Sequence, residues 1–94
     1  MKTFLAIDLG ASSGRAILGT VGDNRIELEE IHRFENGGVT VNGHLFWDVL
    51  GLFSEIKTGI RKAVDRAPDL GGIAVDTWGV DFVLLDEQGN PVAD

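Results

Sequence analysis

The apolar residues follow two different periods, and the change of period divides the chain. Residues 3–8 (Thr3-Phe4-Leu5-Ala6-Ile7-Asp8) form a short apolar run closed by an acid, the pattern of a buried strand. Small and hydroxyl residues follow, Gly10-Ala11-Ser12-Ser13-Gly14, and then a second strand over 15–21. Gly22-Asp23-Asn24 reads as a hairpin turn. Residues 25–34 alternate, with Ile26, Leu28 and Glu30 on one side of the pleat and Glu27, Glu29 and Ile31 on the other. The chain therefore opens with a three-stranded meander. Residues 35–47 read as a loop with a short strand at Val39–Val41.

From Asp48 the period changes. Asp48 is a suitable N-cap, and Val49, Phe53, Ile56, Ile60 and Ala63/Val64 recur at helical spacing over about 17 residues. Pro68 and Gly71-Gly72 stop the helix. Gly72-Ile73-Ala74-Val75-Asp76 is a further apolar strand ending in an acid. Thr77-Trp78-Gly79 reads as a turn, Val80–Leu85 as a strand and Asp86–Asn90 as a hairpin turn. The order is strand, strand, strand, helix, strand, then an added hairpin: an α/β chain with a mixed sheet. A helical crossover joins parallel neighbours, so the strand at 72–76 should run parallel to the first.

Composition narrows the function classes. The formal charge is −7, which argues against non-specific binding to nucleic acid or an anionic membrane. It leaves a nucleotide pocket open, since such a pocket needs only local donors. There is no cysteine, which removes disulfides, thiolate zinc sites and cysteine nucleophiles and fits a reducing compartment. Asp8 interrupts the first apolar run, so we read that run as a strand and not as a leader peptide. No run reaches the roughly 18 apolar residues of a membrane span.

Two clusters carry candidate chemistry. The first is Asp8-Leu9-Gly10-Ala11-Ser12-Ser13-Gly14-Arg15. A strand delivers a carboxylate, and a turn of small residues lets main-chain N–H groups approach an anion, with hydroxyls as further donors. Asp8 tolerates phosphates nearby only with a cation such as Mg²⁺ between them, bound directly or through water. The segment lacks the Gly-Lys-Ser/Thr ending of a P-loop, and a strand follows it where P-loops and dinucleotide folds have a helix. The plainer alternative is a hairpin whose glycines only satisfy turn geometry. The second cluster, Asp76-Thr77-Trp78-Gly79-Val80-Asp81, sits at a strand's C-terminal end. An indole face and carboxylates suit a sugar, and Gly79 would let a sugar hydroxyl reach the main chain. Its alternative is a core tryptophan beside a solvated acidic turn. His32 and His44 lack a metal-ligand pattern, and Lys57, Arg61, Lys62 and Arg66 read as a solvated helix face. Glu27, Glu29 and Glu30 read as the wet side of an edge strand, and Trp47 as packing at the helix entry.

Together with Ile31-His32-Arg33-Phe34 and Trp47-Asp48-Val49, these clusters resemble the N-terminal part of the FGGY carbohydrate kinases. That family lies within the wider actin, hexokinase and heat-shock ATPase fold. The likeness runs through essentially the whole chain. The first motif marks only the superfamily, whereas Asp76-Thr77-Trp78-Gly79-Val80-Asp81-Phe82 is far more specific. The resemblance implies an incomplete actin/hexokinase-like (ribonuclease H-like) domain. It implies transfer of the γ-phosphoryl group of MgATP to the 1-hydroxyl of L-rhamnulose, in the cytoplasm. Other readings are a kinase for another ketose, or a nucleotide-dependent binding or regulatory module of the same fold. By the same resemblance Ala11, Ser12, Ser13, Gly14 and Arg15 contact the ATP phosphates, and Gly79 contacts the sugar. Asp8 helps place the metal, through water, and Trp78 and Asp81 line the sugar pocket. Family members are several times longer. Their catalytic base and adenosine site are expected beyond residue 94, so the chain is expected to be inactive alone. An uncovered sheet edge and helix face should then favour self-association.

Overall fold

The computed structural model describes residues 2–79 and 82–93. Three antiparallel strands open it: β1 (Lys2–Leu9), β2 (Ser13–Gly22) and β3 (Arg25–Glu35). After the helix α1 (Val49–Arg66), β6 (Ile73–Asp76) adds to β1 in parallel, giving the sheet order β3-β2-β1-β6. The meander, the crossover helix and the parallel return strand are those the residue pattern predicts.

Alternation assigns the two faces of this sheet. Leu5 and Ile7 of β1 and Ala16 and Leu18 of β2 point to one face, where Ala63 of α1 closes over them. Ile56, Ile60 and Leu70 pack around that core. A Cβ at Gly59 would stand 2.9 Å from the Ala16 methyl, so the small residue lets helix and sheet approach. The packed seam is therefore Ile56, Gly59, Ile60 and Ala63. Ile56, Ile60 and Ala63 of the apolar stripe read from the sequence lie on this seam, while Val49, Phe53 and Val64 of that stripe are exposed. The charged helix face is more than solvated, because Lys62 Nζ meets His32 Nδ1 at 2.9 Å and Arg66 pairs with Glu29.

The opposite face of the sheet has no helix over it among the described residues. Phe4, Ile26 and Leu28 are exposed there, and β6 is an edge strand with Ile73 and Val75 half exposed.

Strand β3 carries an irregularity. Ala16 pairs with His32 while Ile17 pairs with Glu30, so Ile31 has no partner across the ladder. Glu29 before the bulge and His32 and Phe34 after it all face the helix side, the last opposite Gly14.

The segment 35–47 holds more structure than the sequence reading gave it. β4 (Val39–Val41) pairs with β5 (His44–Phe46) across Asn42-Gly43, both at positive φ. That Asn-Gly pair is a strong hairpin signal. Asp48 does cap α1, its Oδ1 accepting from the Gly51 amide at 3.0 Å. The strand expected over 80–85 shrinks to β7 (Leu84–Leu85), paired with β8 (Pro91–Ala93). Val80 and Asp81 lie outside the described residues.

Candidate functional site

The turn between β1 and β2 is held from both sides. The Gly10 amide donates to the Ser13 carbonyl at 2.9 Å, which closes the turn. A Cβ at Gly10 would come within 2.9 Å of that same oxygen, so glycine is needed for so tight a bend. From outside, the buried Asn36 donates its Nδ2 to the Gly10 carbonyl at 2.8 Å, and its main-chain N–H donates to the Ser12 carbonyl at 3.1 Å. The amides of Ala11 and Ser12 have no hydrogen-bond partner among the described residues, and both residues are exposed. Because a trans peptide sets its C=O and N–H in opposite directions, the bond from Asn36 to Gly10 aims the Ala11 N–H away from Asn36. The turn thus presents unspent main-chain donors, the feature an anion needs.

Gly14 has a different constraint. It is buried, and a Cβ there would stand 2.5 Å from Phe34 Cε2. The Phe34 ring occupies the space beside the glycine.

Asp8 and Arg15 are opposite each other in the β1–β2 ladder. Arg15 Nη1 donates to Asp8 Oδ2 at 2.6 Å and Nη2 donates to Ser13 Oγ at 2.8 Å. Arg15 Nε is buried with no partner. The guanidinium therefore holds one spare donor, and Asp8, 45% exposed, remains open to one side.

The second cluster is brought beside the first. Asp76 at the end of β6 is the lateral neighbour of Asp8. Thr77 Oγ1 donates to the Leu9 carbonyl at 3.1 Å, bridging 68 residues of sequence. Trp78 stacks on Trp47, ring centroids 4.2 Å apart and planes 19° from parallel. One face of each indole is thereby taken. Nothing lies within 4 Å of a Cβ built at Gly79, so packing among the described residues does not demand glycine there. Asp81 is outside the described residues. A cavity of about 310 Å³ lies between Ala11 of the turn and the segment that carries β5, lined by Ala11, Gly37, Gly38, Leu45, Phe46 and Trp47.

Among the described residues, no three His, Cys, Asp or Glu side chains gather as a metal cage. His32 is held by Lys62 and sits 3.3 Å from Glu55, a structural setting. Two residues at or beside this site were not singled out as functional in the sequence. Asn36 reads there only as a loop residue in Glu35-Asn36-Gly37-Gly38, and Trp47 only as packing.

No protein-family model matches the chain. Curated relatives do. A rhamnulokinase of Halalkalibacterium halodurans is 51% identical over 94 residues, all of this chain and 20% of the relative. A rhamnulokinase of Bacteroides thetaiotaomicron is 46% identical over 89 residues, 95% of this chain and 18% of the relative. One of Mannheimia succiniciproducens is 51% identical over 89 residues, 93% of this chain and 18% of the relative. The chain thus spans about a fifth of the length of the curated relatives it matches. With both motifs inside the region matched over the whole chain, these 94 residues are similar from end to end to a part of the rhamnulokinases, consistent with an N-terminal fragment of such a protein.

Proposed function

We propose that this chain is the N-terminal portion of an ATP-dependent sugar kinase, within its first domain, and that it grips the triphosphate tail and forms part of the sugar pocket. The observation that carries the reading is the meeting of two distant motifs at one end of the sheet. A turn with unspent amides and a carboxylate lies beside a tryptophan and an open glycine. The relatives' shared name supports rhamnulose as the acceptor; the 1-hydroxyl of the L-sugar as the site of transfer, and the cytoplasm as the compartment, are what the family resemblance implies.

The residues fit both implied ligands. The Ala11 and Ser12 amides, the Ser12 and Ser13 hydroxyls and the Arg15 guanidinium are donors for phosphate oxygens. Mg²⁺ commonly takes one or two carboxylates and completes its shell with water and phosphate, which matches Asp8 without a protein cage. When bound, MgATP supplies the electrophilic phosphoryl group and the metal's charge neutralisation. The chain's own part is placement. Asp8 orients the metal through water, and the turn fixes the phosphates. Asp8 is open to one side, so it would hold the metal's water there while Arg15 keeps its hydrogen bonds to Asp8 and Ser13. Gly79 admits a sugar hydroxyl to the main chain, while Trp78, with Asp81, walls the pocket; the stack leaves Trp78 only its outer face.

Phosphoryl transfer needs charge and positioning from both sides of the phosphate. The residue that deprotonates the acceptor is assigned to the remainder of the whole protein. A coupled assay of the purified 94-residue chain with ATP and L-rhamnulose should therefore show no turnover. Titration with MgATP, followed by amide NMR, should shift residues 10–15. Absence of that shift would remove the phosphate reading, and turnover by the chain alone would remove the division of labour.

A further inference from the structure

We infer that Asn36 is the positioning residue of the phosphate turn: it orients the Ala11 amide that meets the nucleotide. This inference rests on the phosphate reading of the β1–β2 turn.

Asn36 is 3% exposed and is the one polar residue buried among the described residues. A buried amide is kept only when its hydrogen-bonding groups are used. Here both main chain and side chain face the turn. Nδ2 donates to the Gly10 carbonyl at 2.8 Å, and the backbone N–H donates to the Ser12 carbonyl at 3.1 Å. The first bond fixes the Gly10–Ala11 peptide plane and the second the Ser12–Ser13 plane, so Asn36 holds the turn on both sides of the Ala11–Ser12 peptide. With the Gly10 carbonyl turned toward Asn36, the Ala11 N–H in the same plane must face the other way. Without this brace a Gly-Ala-Ser turn has little to choose among several peptide orientations, since glycine permits most of them. A rotated Gly10–Ala11 peptide would present a carbonyl oxygen to the phosphates in place of an N–H. The inference also explains the bulge at Ile31. The extra residue sets the end of β3 so that Phe34 covers Gly14 and Asn36 reaches Gly10, two residues apart on the same strand end.

Asn36 touches neither phosphate nor metal in this scheme. Its removal should weaken phosphate binding without changing which groups bind. The test uses the 94-residue chain with magnesium tripolyphosphate as the probe, read by the Ala11 and Ser12 amide resonances. Asn36→Ala should bind roughly three- to tenfold more weakly, the range set by one net hydrogen bond. Leu70→Ala serves as a comparison for stability loss away from the turn and should bind as the parent does. A second measurement needs no variant. Coupling is reciprocal, so saturating tripolyphosphate should slow solvent exchange of the Asn36 side-chain N–H several-fold in the unaltered chain. Parent-like affinity in Asn36→Ala, or unchanged Asn36 exchange on saturation, overturns the inference alone. No response of the parent's turn amides overturns both it and the phosphate reading.

Discussion

Replacing Gly14 by alanine tests how tightly the site is built. Gly14 lies in β2 at the end of the turn, and the Phe34 ring fills the space a side chain would need. The added methyl would stand 2.5 Å from Phe34 Cε2, about 1 Å short of ordinary contact. The backbone of both strands is fixed by the ladder, so the ring must tilt or leave. Overpacking of this kind costs about 1–3 kcal/mol. Full expulsion of the ring would cost about 1.5–3 kcal/mol of burial. Alanine recovers about 0.5–1 kcal/mol over glycine in a strand. The net loss is then about 1–2 kcal/mol. For a domain of this size it lowers the melting midpoint by about 5–15 °C. Circular dichroism melts of the parent, Gly14→Ala, Phe34→Leu and the double variant supply the assay. In the Phe34→Leu background the cost of Gly14→Ala should fall by at least half, because leucine leaves room beside the methyl. A Gly14→Ala midpoint within about 1 °C of the parent, or an equal loss in both backgrounds, would refute the steric argument.

Two further outcomes follow from the charges. Arg15→Gln removes the cation 2.6 Å from Asp8, so Mn²⁺ added without nucleotide should broaden the Asp8 and Gly10 amides at several-fold lower concentration than in the parent. Equal broadening in both would show that Arg15 does not screen the carboxylate. Glu30 is held below the usual carboxylate range by the hydrogen bond from Arg33, against a small desolvation, with the charges of Arg33 and Arg15 adding to the lowering. A folded-state pKa below the unfolded one contributes stability above the unfolded value and loses it as pH falls through the folded value. Carbon-detected titration should therefore place the Glu30 midpoint below the usual glutamate range, and Arg33→Gln should raise it.

Much of this was legible in the amino-acid order because local signals and global packing agree. The apolar runs at 3–8 and 72–76, joined through a helix, predict two parallel strands, and the observed register sets Asp8 beside Asp76. The helix and its Asp48 cap follow from spacing alone. Other features depend on which neighbour arrives. The helical spacing picks out Ile56, Ile60 and Ala63 of the packed seam together with Val49, Phe53 and Val64, which are exposed, and it passes over Gly59, whose missing side chain lets the helix approach the sheet. Asn36 looked like any loop asparagine, since its partners lie 26 residues away. The β4–β5 hairpin was the exception that could have been read, because Asn42-Gly43 announces it. The Trp47–Trp78 stack joins residues with no periodic relation, so no pattern along the chain reveals it.

The unpaired Ile31 makes β3 two half-strands of opposite phase. Even-numbered Ile26 and Leu28 look away from the helix, while even-numbered His32 and Phe34 look toward it. Such a strand can lose its one extra residue without either half changing partners. Deleting Ile31 would set Glu30 and His32 next to each other opposite Ile17 and Ala16, so the ladder would run without interruption while Arg25 stayed opposite Gly22 and Phe34 opposite Gly14. A chain one residue shorter here should therefore keep the anion turn braced and give up only the Ile31 packing against the core and the bend that a bulge puts into a strand.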